Sequence, residues 1–410
     1  MRSGALVAAL AAFLLYMANG REIPSYDSQP AKYPAIEIAT RHSLSLSHVV
    51  GRVPALGDRP AFVRDRHGNY RSAYPLPSAL AAGAVAWTLT KLHVLDPLAP
   101  LAAPFVAKLT ASALTAITVA LAFLAAAQRV TKRQAALIAL TLGSGTNRWG
   151  SVSQTLWQQE TGLCAVMGAL LILTRREARV GNVLAAGVLV GLAGWARPQL
   201  VPIVGVLALS MIVRWRMRGA IAMIPIACLA ALAIAINIAW FGHPLGAVPL
   251  LESMHPTLHA TSGSISATPW VSAAGLLVSP SRGLLVFSPV LAYCFYQVWW
   301  GGHTFGPRYM LDILPPLVPP AAAGFPVIAG RRPVAVLASK CLAWSIGAAA
   351  LGAFVYPLEF WNLDPNVDAA HWRLWDWRDS QLARAAHAGW NPENFALFSR
   401  ASFRQDARNP

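Results

Sequence analysis

Long apolar runs, separated by short polar breaks, recur along most of this chain, and that pattern predicts membrane-spanning helices. The runs fall at 3–18, 104–126, 134–146, 161–174, 181–196, 198–213, 220–241, 309–329 and 335–356. Several are short for a full crossing, so their ends are soft. The expected fold class is an all-α polytopic membrane protein, a bundle of about nine transmembrane helices with interfacial helices in its outer loops.

The breaks between runs set the expected topology. Arg129, Lys132 and Arg133, then Arg175, Arg176 and Arg179, then Arg214, Arg216 and Arg218, and finally Arg331 and Arg332 form four short basic connections. Cytoplasmic loops carry such excess basic charge, so all four are read as cytoplasmic. The polar stretch 21–75 is then a first outer loop. For 104–126 to run inward, 76–96 must lie at the interface, which its interruption by Lys91 and His93 suits. By the same parity, 242–308 is an outer loop in which 283–298 dips in or lies at the interface. The transmembrane domain is expected to span 1–356. The tail 357–410 turns polar and carries Trp361, Trp372, Trp375, Trp377 and Trp390. It is expected to pack at the outer interface, where tryptophan concentrates.

Composition narrows the class. Hydrophobic residues make up 56% of the chain and charged residues 12%, too few charges to keep a soluble surface of this size dispersed. The net charge of +16 would suggest nucleic acid in a soluble protein, but here the basic residues mark topology, so no nucleic-acid partner is expected. Cys164, Cys228, Cys294 and Cys341 lie in or against apolar stretches without metal-ligand spacing, and are expected to be buried packing residues. The first run ends in Ala18, Asn19 and Gly20, small residues a signal peptidase accepts, yet an uncleaved first helix is expected.

Acidic groups in or beside a membrane are costly and usually functional, and Asp27, Glu160 and Asp312 form that short list. Asp27, in Tyr26-Asp27-Ser28-Gln29-Pro30, is held near the outer face by the first helix. It is a candidate base for activating an acceptor hydroxyl, or else a loop aspartate or helix cap. Glu160 follows Trp157, Gln158 and Gln159, a set that suits a sugar-lined groove or interfacial anchoring. The run from Trp299 to Tyr309 is the densest unusual segment. Its glycines allow close backbone approach, and His303, Arg308 and Tyr309 offer polar groups, Arg308 a fork for phosphate oxygens; the rival reading is a structural turn. Arg71 and Tyr74 close the first outer loop and either meet a lipid phosphate or snorkel. Arg197, between two apolar runs, and Lys108, near the outer end of its span, carry the same ambiguity between an anionic substrate and headgroups.

Taken in order, these segments resemble the GT-C superfamily of polytopic glycosyltransferases, and within it the protein mannosyltransferase and aminoarabinose transferase branch. The residues that carry the resemblance are Asp27 before Pro30, Tyr74-Pro75, Leu156-Trp157-Gln158, Ala196-Arg197-Pro198, Ser279-Pro280-Ser281-Arg282-Gly283-Leu284, and Gly301-Gly302-His303-Thr304-Phe305-Gly306-Pro307-Arg308-Tyr309. The last two are the most specific.

The resemblance implies a polyprenyl-phosphate-linked sugar donor and a lipid, glycan or protein acceptor. It also implies a multi-pass chain in the cytoplasmic (inner) membrane with its site on the periplasmic, outer face, and Asp27 as the base. Whether a divalent cation assists is left open; no other cofactor is expected. Two departures stand out. The lysine that precedes the proline pair in the aminoarabinose branch is not found near Tyr74-Pro75, where Leu76 follows. Family members also insert a helical hairpin between the Ser288-Pro289 helix and the Trp-Trp-Gly-Gly segment, whereas here Tyr293 to Val298 joins them directly. A transporter or flippase, and a catalytically impaired scaffold paralogue, are the competing readings.

Overall fold

The computed structural model describes residues 2–25, 28–59, 61–175, 179–254, 269–281, 303–356 and 361–390. In chain order the helices are α1 (Arg2–Met17), α2 (Gln29–Arg41), α3 (Ser47–Arg52), α4 (Pro77–Lys91), α5 (Ala102–Ala126), α6 (Lys132–Ser144), α7 (Gln158–Leu173), α8 (Val180–Ala196), α9 (Val201–Trp215), α10 (Met217–Ile221), α11 (Met223–Phe241), α12 (Val248–Met254), α13 (Pro269–Val278), α14 (Leu314–Gly330), α15 (Arg332–Phe354) and α16 (Gln381–Ala388). Two short strands, β1 (Phe62–Arg64) and β2 (Tyr70–Ser72), pair antiparallel.

The nine apolar runs given above are each helical over most of their length. Among the described residues five helical segments, Ala102–Ala126, Pro198–Trp215, Met217–Phe241, Arg308–Gly330 and Arg332–Phe354, are long and apolar enough to cross a membrane, while α1, α7 and α8 are apolar but shorter. The chain is a mostly helical, multi-pass membrane protein. It forms two compact units: one from 1–25, 115–155 and 257–410, the other from 26–114 and 156–256.

In the second unit, α2 lies on α4, and Ala31, Ala35, Ala82 and Ala86 are buried with Ala103, Val106 and Leu156. Small side chains at helical spacing let these backbones approach closely. Glycine does the same where α8 meets α11. A methyl group on Gly187 would stand 2.4 Å from the Ala222 carbonyl oxygen, and one on Gly191 would stand 3.1 Å from Ile226 Cα. This Gly-x-x-x-Gly spacing sets one small face against the neighbouring helix.

The stretch 21–75 is no plain loop. Leu46, Val49, Val50, Leu56 and Phe62 form a small core of their own, with Tyr33 and Tyr70 packed against it. The β1–β2 hairpin turns at Asp65, whose Oδ1 accepts from the amides of His67 and Asn69, both at 2.9 Å. Gly68 completes that turn at φ +81°, a conformation glycine adopts without a steric penalty.

In the first unit, Tyr16 of α1 donates its hydroxyl to the Gly143 carbonyl of α6 at 3.0 Å. Between α6 and α7 the chain makes a five-residue π-helical turn at Arg148–Val152, and every described side chain from Leu142 to Trp157 is buried. The tail is likewise packed. Trp361 is fully buried with Leu276, Met310, Val367 and Leu374, its ring under the Arg373 guanidinium at 4.6 Å and its indole N–H donating to the Asp379 carbonyl at 2.6 Å. Trp361 is thus a core residue rather than an interface anchor, whereas Trp372, Trp375, Trp377 and Trp390 are exposed.

The cysteines correct a second expectation. Cys228 and Cys341 are exposed and Cys164 is half-buried, because the outward faces of these helices are apolar without being covered by protein. Cys294 and the segment 283–298 lie outside the described residues.

Candidate functional site

In the first unit, the described part of the segment most specific to the resemblance, 303–309, is a turn pinned from several directions. Tyr356 donates its hydroxyl to the His303 carbonyl at 3.1 Å. Gln381 grips both sides of Phe305, donating Nε2 to the Thr304 carbonyl at 3.0 Å and accepting from the Gly306 amide at 2.8 Å. Asn147, in the buried stretch after α6, donates Nδ2 to the Phe305 carbonyl at 2.6 Å. The Phe305 ring presses on α15, where a methyl on Gly352 would stand 2.3 Å from it. Gly306 takes φ +63°, and Arg308 follows as the first residue of the 3₁₀ turn Arg308–Ile313.

The turn presents a fixed cation. Arg308 is buried, its guanidinium 5.0 Å from the centre of the Tyr309 ring, with Nη2 donating to the Tyr309 hydroxyl at 3.2 Å. Stacking of this kind orders the planar fork and leaves fewer rotamers to lose when an oxyanion binds. Asp312 lies in the same turn and is fully buried. His303 points its Nε2 at Asp368 Oδ2, 3.0 Å away, and at Asn366 Oδ1, 3.3 Å away. That pair ties the tail to the turn.

The second specific segment is described only at Ser279-Pro280-Ser281. Ser279 donates its hydroxyl to the Leu374 carbonyl, and Ser281 Oγ accepts from the Gln381 amide at 3.3 Å. Gln381 therefore joins both segments that the resemblance ranks highest, a role the sequence did not signal. A polar layer also went unread in the sequence. Asn19 donates Nδ2 to Gln154 Oε1 at 2.6 Å and to the Ala353 carbonyl at 2.9 Å, and Thr155 donates to Glu22 at 2.5 Å. Glu22 is buried and was missing from the acidic short list. The signal available was the run from Ser144 to Gln154, long for a connection and free of proline, lysine and acid.

The other candidates sit in the second unit, where several have structural work. Arg71 donates Nε to Asp65 Oδ2 at 2.8 Å and lies 4.5 Å from the Trp240 ring. Burial raises the Asp65 carboxyl, but the bonds from Arg71, Asn69 and His67 outweigh it and hold the group below the ordinary carboxylate range. Tyr74 is half-buried beside Ser72, which accepts from its amide at 3.1 Å. Glu160 is fully buried and accepts from the Trp157 amide at 3.0 Å, closing the start of α7. Arg197, buried just after α8, lies against α7: a methyl on Gly162 would be 3.5 Å from its Cβ. Lys108 is fully buried in α5. Glu37, a second acid absent from the short list, is buried in α2 with His48 Nδ1 3.1 Å away.

Asp27 lies outside the described residues, as do Gly301 and Gly302. Helix α2 begins at Gln29 with Ser28 in the capping position. Among the described residues no three His, Cys, Asp or Glu side chains are grouped as a metal site. Comparison with family models, curated proteins and solved structures finds no match for this chain.

Proposed function

We propose that the protein transfers a sugar from a polyprenyl-phosphate donor to a lipid, glycan or protein acceptor at the outer face of the cytoplasmic membrane. The observation that carries this reading is the buried Arg308 in a turn fixed by Asn147, Tyr356 and Gln381, within the segment that most resembles GT-C glycosyltransferases. So much support around one turn is what a site needs when it must hold an oxyanion without reorganising.

In the proposed reaction the acceptor oxygen or nitrogen attacks the anomeric carbon as the bond from that carbon to the phosphate oxygen breaks. Its proton passes to the Asp27 carboxylate, and the electron pair of the broken bond leaves on the phosphate. Polyprenyl phosphate departs as a stable anion, so the reaction requires no general acid, and the Arg308 guanidinium takes up the developing charge. In-line attack inverts the anomeric configuration.

The test is an assay of membranes carrying the intact chain or Asp27→Asn, with radiolabelled sugars on a panel of polyprenyl phosphates and with cell-envelope lipids and glycans as acceptors. Transfer by the intact chain that is lost in the variant at equal protein level supports the reading. Well-expressed intact protein that transfers nothing from any donor in the panel turns the reading toward a transporter or a scaffold.

A further inference from the structure

The lipid-facing surface of α15 carries a charge well inside the span. This helix buries Ser345, Ala348, Ala349, Gly352 and Ala353 on one side. On another, Arg332, Ala335, Val336, Ser339, Lys340 and Ala343 form one open face of the helix. Lys340 is exposed and lies eight residues beyond Arg332, about 12 Å farther along the axis at the α-helical rise. An ammonium at that depth facing hydrocarbon is costly, and such groups persist by finding a counter-charge or the headgroup layer.

Among the described residues no acidic side chain pairs with Lys340. Neither α15 nor the Arg148–Val152 turn, α6, α14 and α16, which pack on it, contains an aspartate or glutamate. Bonds from Cα to Cβ tilt toward a helix's amino terminus, so the lysine stem carries its ammonium about one turn back toward Arg332. Ser339 does not compete for a ligand, since its hydroxyl donates to the Ala335 carbonyl at 2.9 Å. Ala335 and Ala343, with small side chains, lie on the same open face as the two cations.

We propose that this face of α15 binds an anionic phospholipid, its phosphate held between Arg332 and Lys340 and an acyl chain lying along Ala335 and Ala343. The lipid belongs to the leaflet at the amino-terminal end of α15, which the positive-inside reading makes cytoplasmic. The site is independent of the transfer reaction proposed above.

The full chain, with its other cysteines changed to alanine, is labelled with bimane at Cys341 and placed in phosphatidylcholine nanodiscs. Brominated phosphatidylglycerol or brominated phosphatidylcholine is then added as quencher, and a second preparation labelled only at Cys228, also exposed, serves as reference. At Cys341 the anionic lipid should quench with an apparent affinity about 30-fold higher, the enrichment two basic side chains near the headgroups confer. Cys228 should show no such excess. The excess should vanish in Arg332→Gln with Lys340→Gln and persist in Arg332→Lys with Lys340→Arg. Equal quenching by the two lipids at Cys341 overturns the proposal, as does an equal anionic excess at Cys228 or an excess that survives neutralisation. Relief of quenching by added inorganic phosphate would assign the cations to a soluble ligand and overturn it as well. If the neutralised variant does not fold, the two lipids and two label positions on the unsubstituted cations decide the matter.

Discussion

The Gly306 amide and the Gln381 side chain, 75 residues apart in sequence, meet in a buried hydrogen bond of 2.8 Å. Through it the carboxy-terminal segment, which reads as a polar appendage, becomes a support of the turn that presents Arg308. Leucine at 381 would leave the Gly306 amide and one bond of the Thr304 carbonyl unmet in a buried place. Gln381→Leu should therefore lose about 1–3 kcal/mol of stability. Thermal unfolding of the purified protein in detergent checks this, and an unchanged midpoint would show that the bond carries no weight.

Lysine at 308 keeps the charge and loses the planar fork stacked on Tyr309. Under the proposed chemistry, Arg308→Lys should reduce sugar transfer by about 100-fold, the scale of removing one oriented donor from a developing oxyanion. Its unfolding midpoint should change little. Transfer at the unsubstituted rate would remove Arg308 from the reaction.

The β1–β2 hairpin should answer to acid. The Asp65 carboxyl is held below its ordinary range, so the stability it contributes is fully present above its unfolded value of about 3.9 and is lost as pH falls through the lower folded value. Amide exchange at His67 and Asn69 should stay slow from neutral pH down to about 4, after allowance for intrinsic rates, and become less protected below it. In Asp65→Asn the protection should be weaker at neutral pH and nearly independent of acid.

Gly187→Leu tests the tight crossing of α8 and α11. The Cβ alone would sit 2.4 Å from the Ala222 carbonyl oxygen, a backbone atom that cannot swing away. Overpacking of this kind costs about 1–3 kcal/mol or more. A lower thermal midpoint and a smaller folded yield are expected, while Gly181→Leu, where the added atom meets open space, should behave as the unsubstituted chain.

Helix positions were legible because an apolar run longer than about a dozen residues in so charge-poor a chain has few structures open to it. The runs at 104–126 and 335–356 match Ala102–Ala126 and Arg332–Phe354 within a few residues. A turn at 303–309 was also visible, in Gly306 and Pro307. Its supports were not. Asn147, Tyr356 and Gln381 are distant in sequence, and nothing local distinguishes a glutamine that bridges two carbonyl-rich turns from one facing water. Arg71 illustrates the converse. Its place in the sequence suits a phosphate ligand or a snorkelling side chain, and the structure ties it to Asp65 across a hairpin that residue patterning does not reveal.

The sequence by itself determined that this is a multi-pass membrane protein, because transfer of apolar side chains out of water and satisfaction of backbone groups within helices are local properties, additive along a run. Tertiary structure alone decided which polar residues are interior. The stretch from Ser144 to Gln154 has the composition of a loop, yet it is buried, with Gln154 bonded to Asn19 and Asn147 to Phe305. Whether a polar group is stable inside depends on partners that only the folded chain brings within reach, and a hydrogen bond across more than a hundred residues leaves no mark on the pattern around either end.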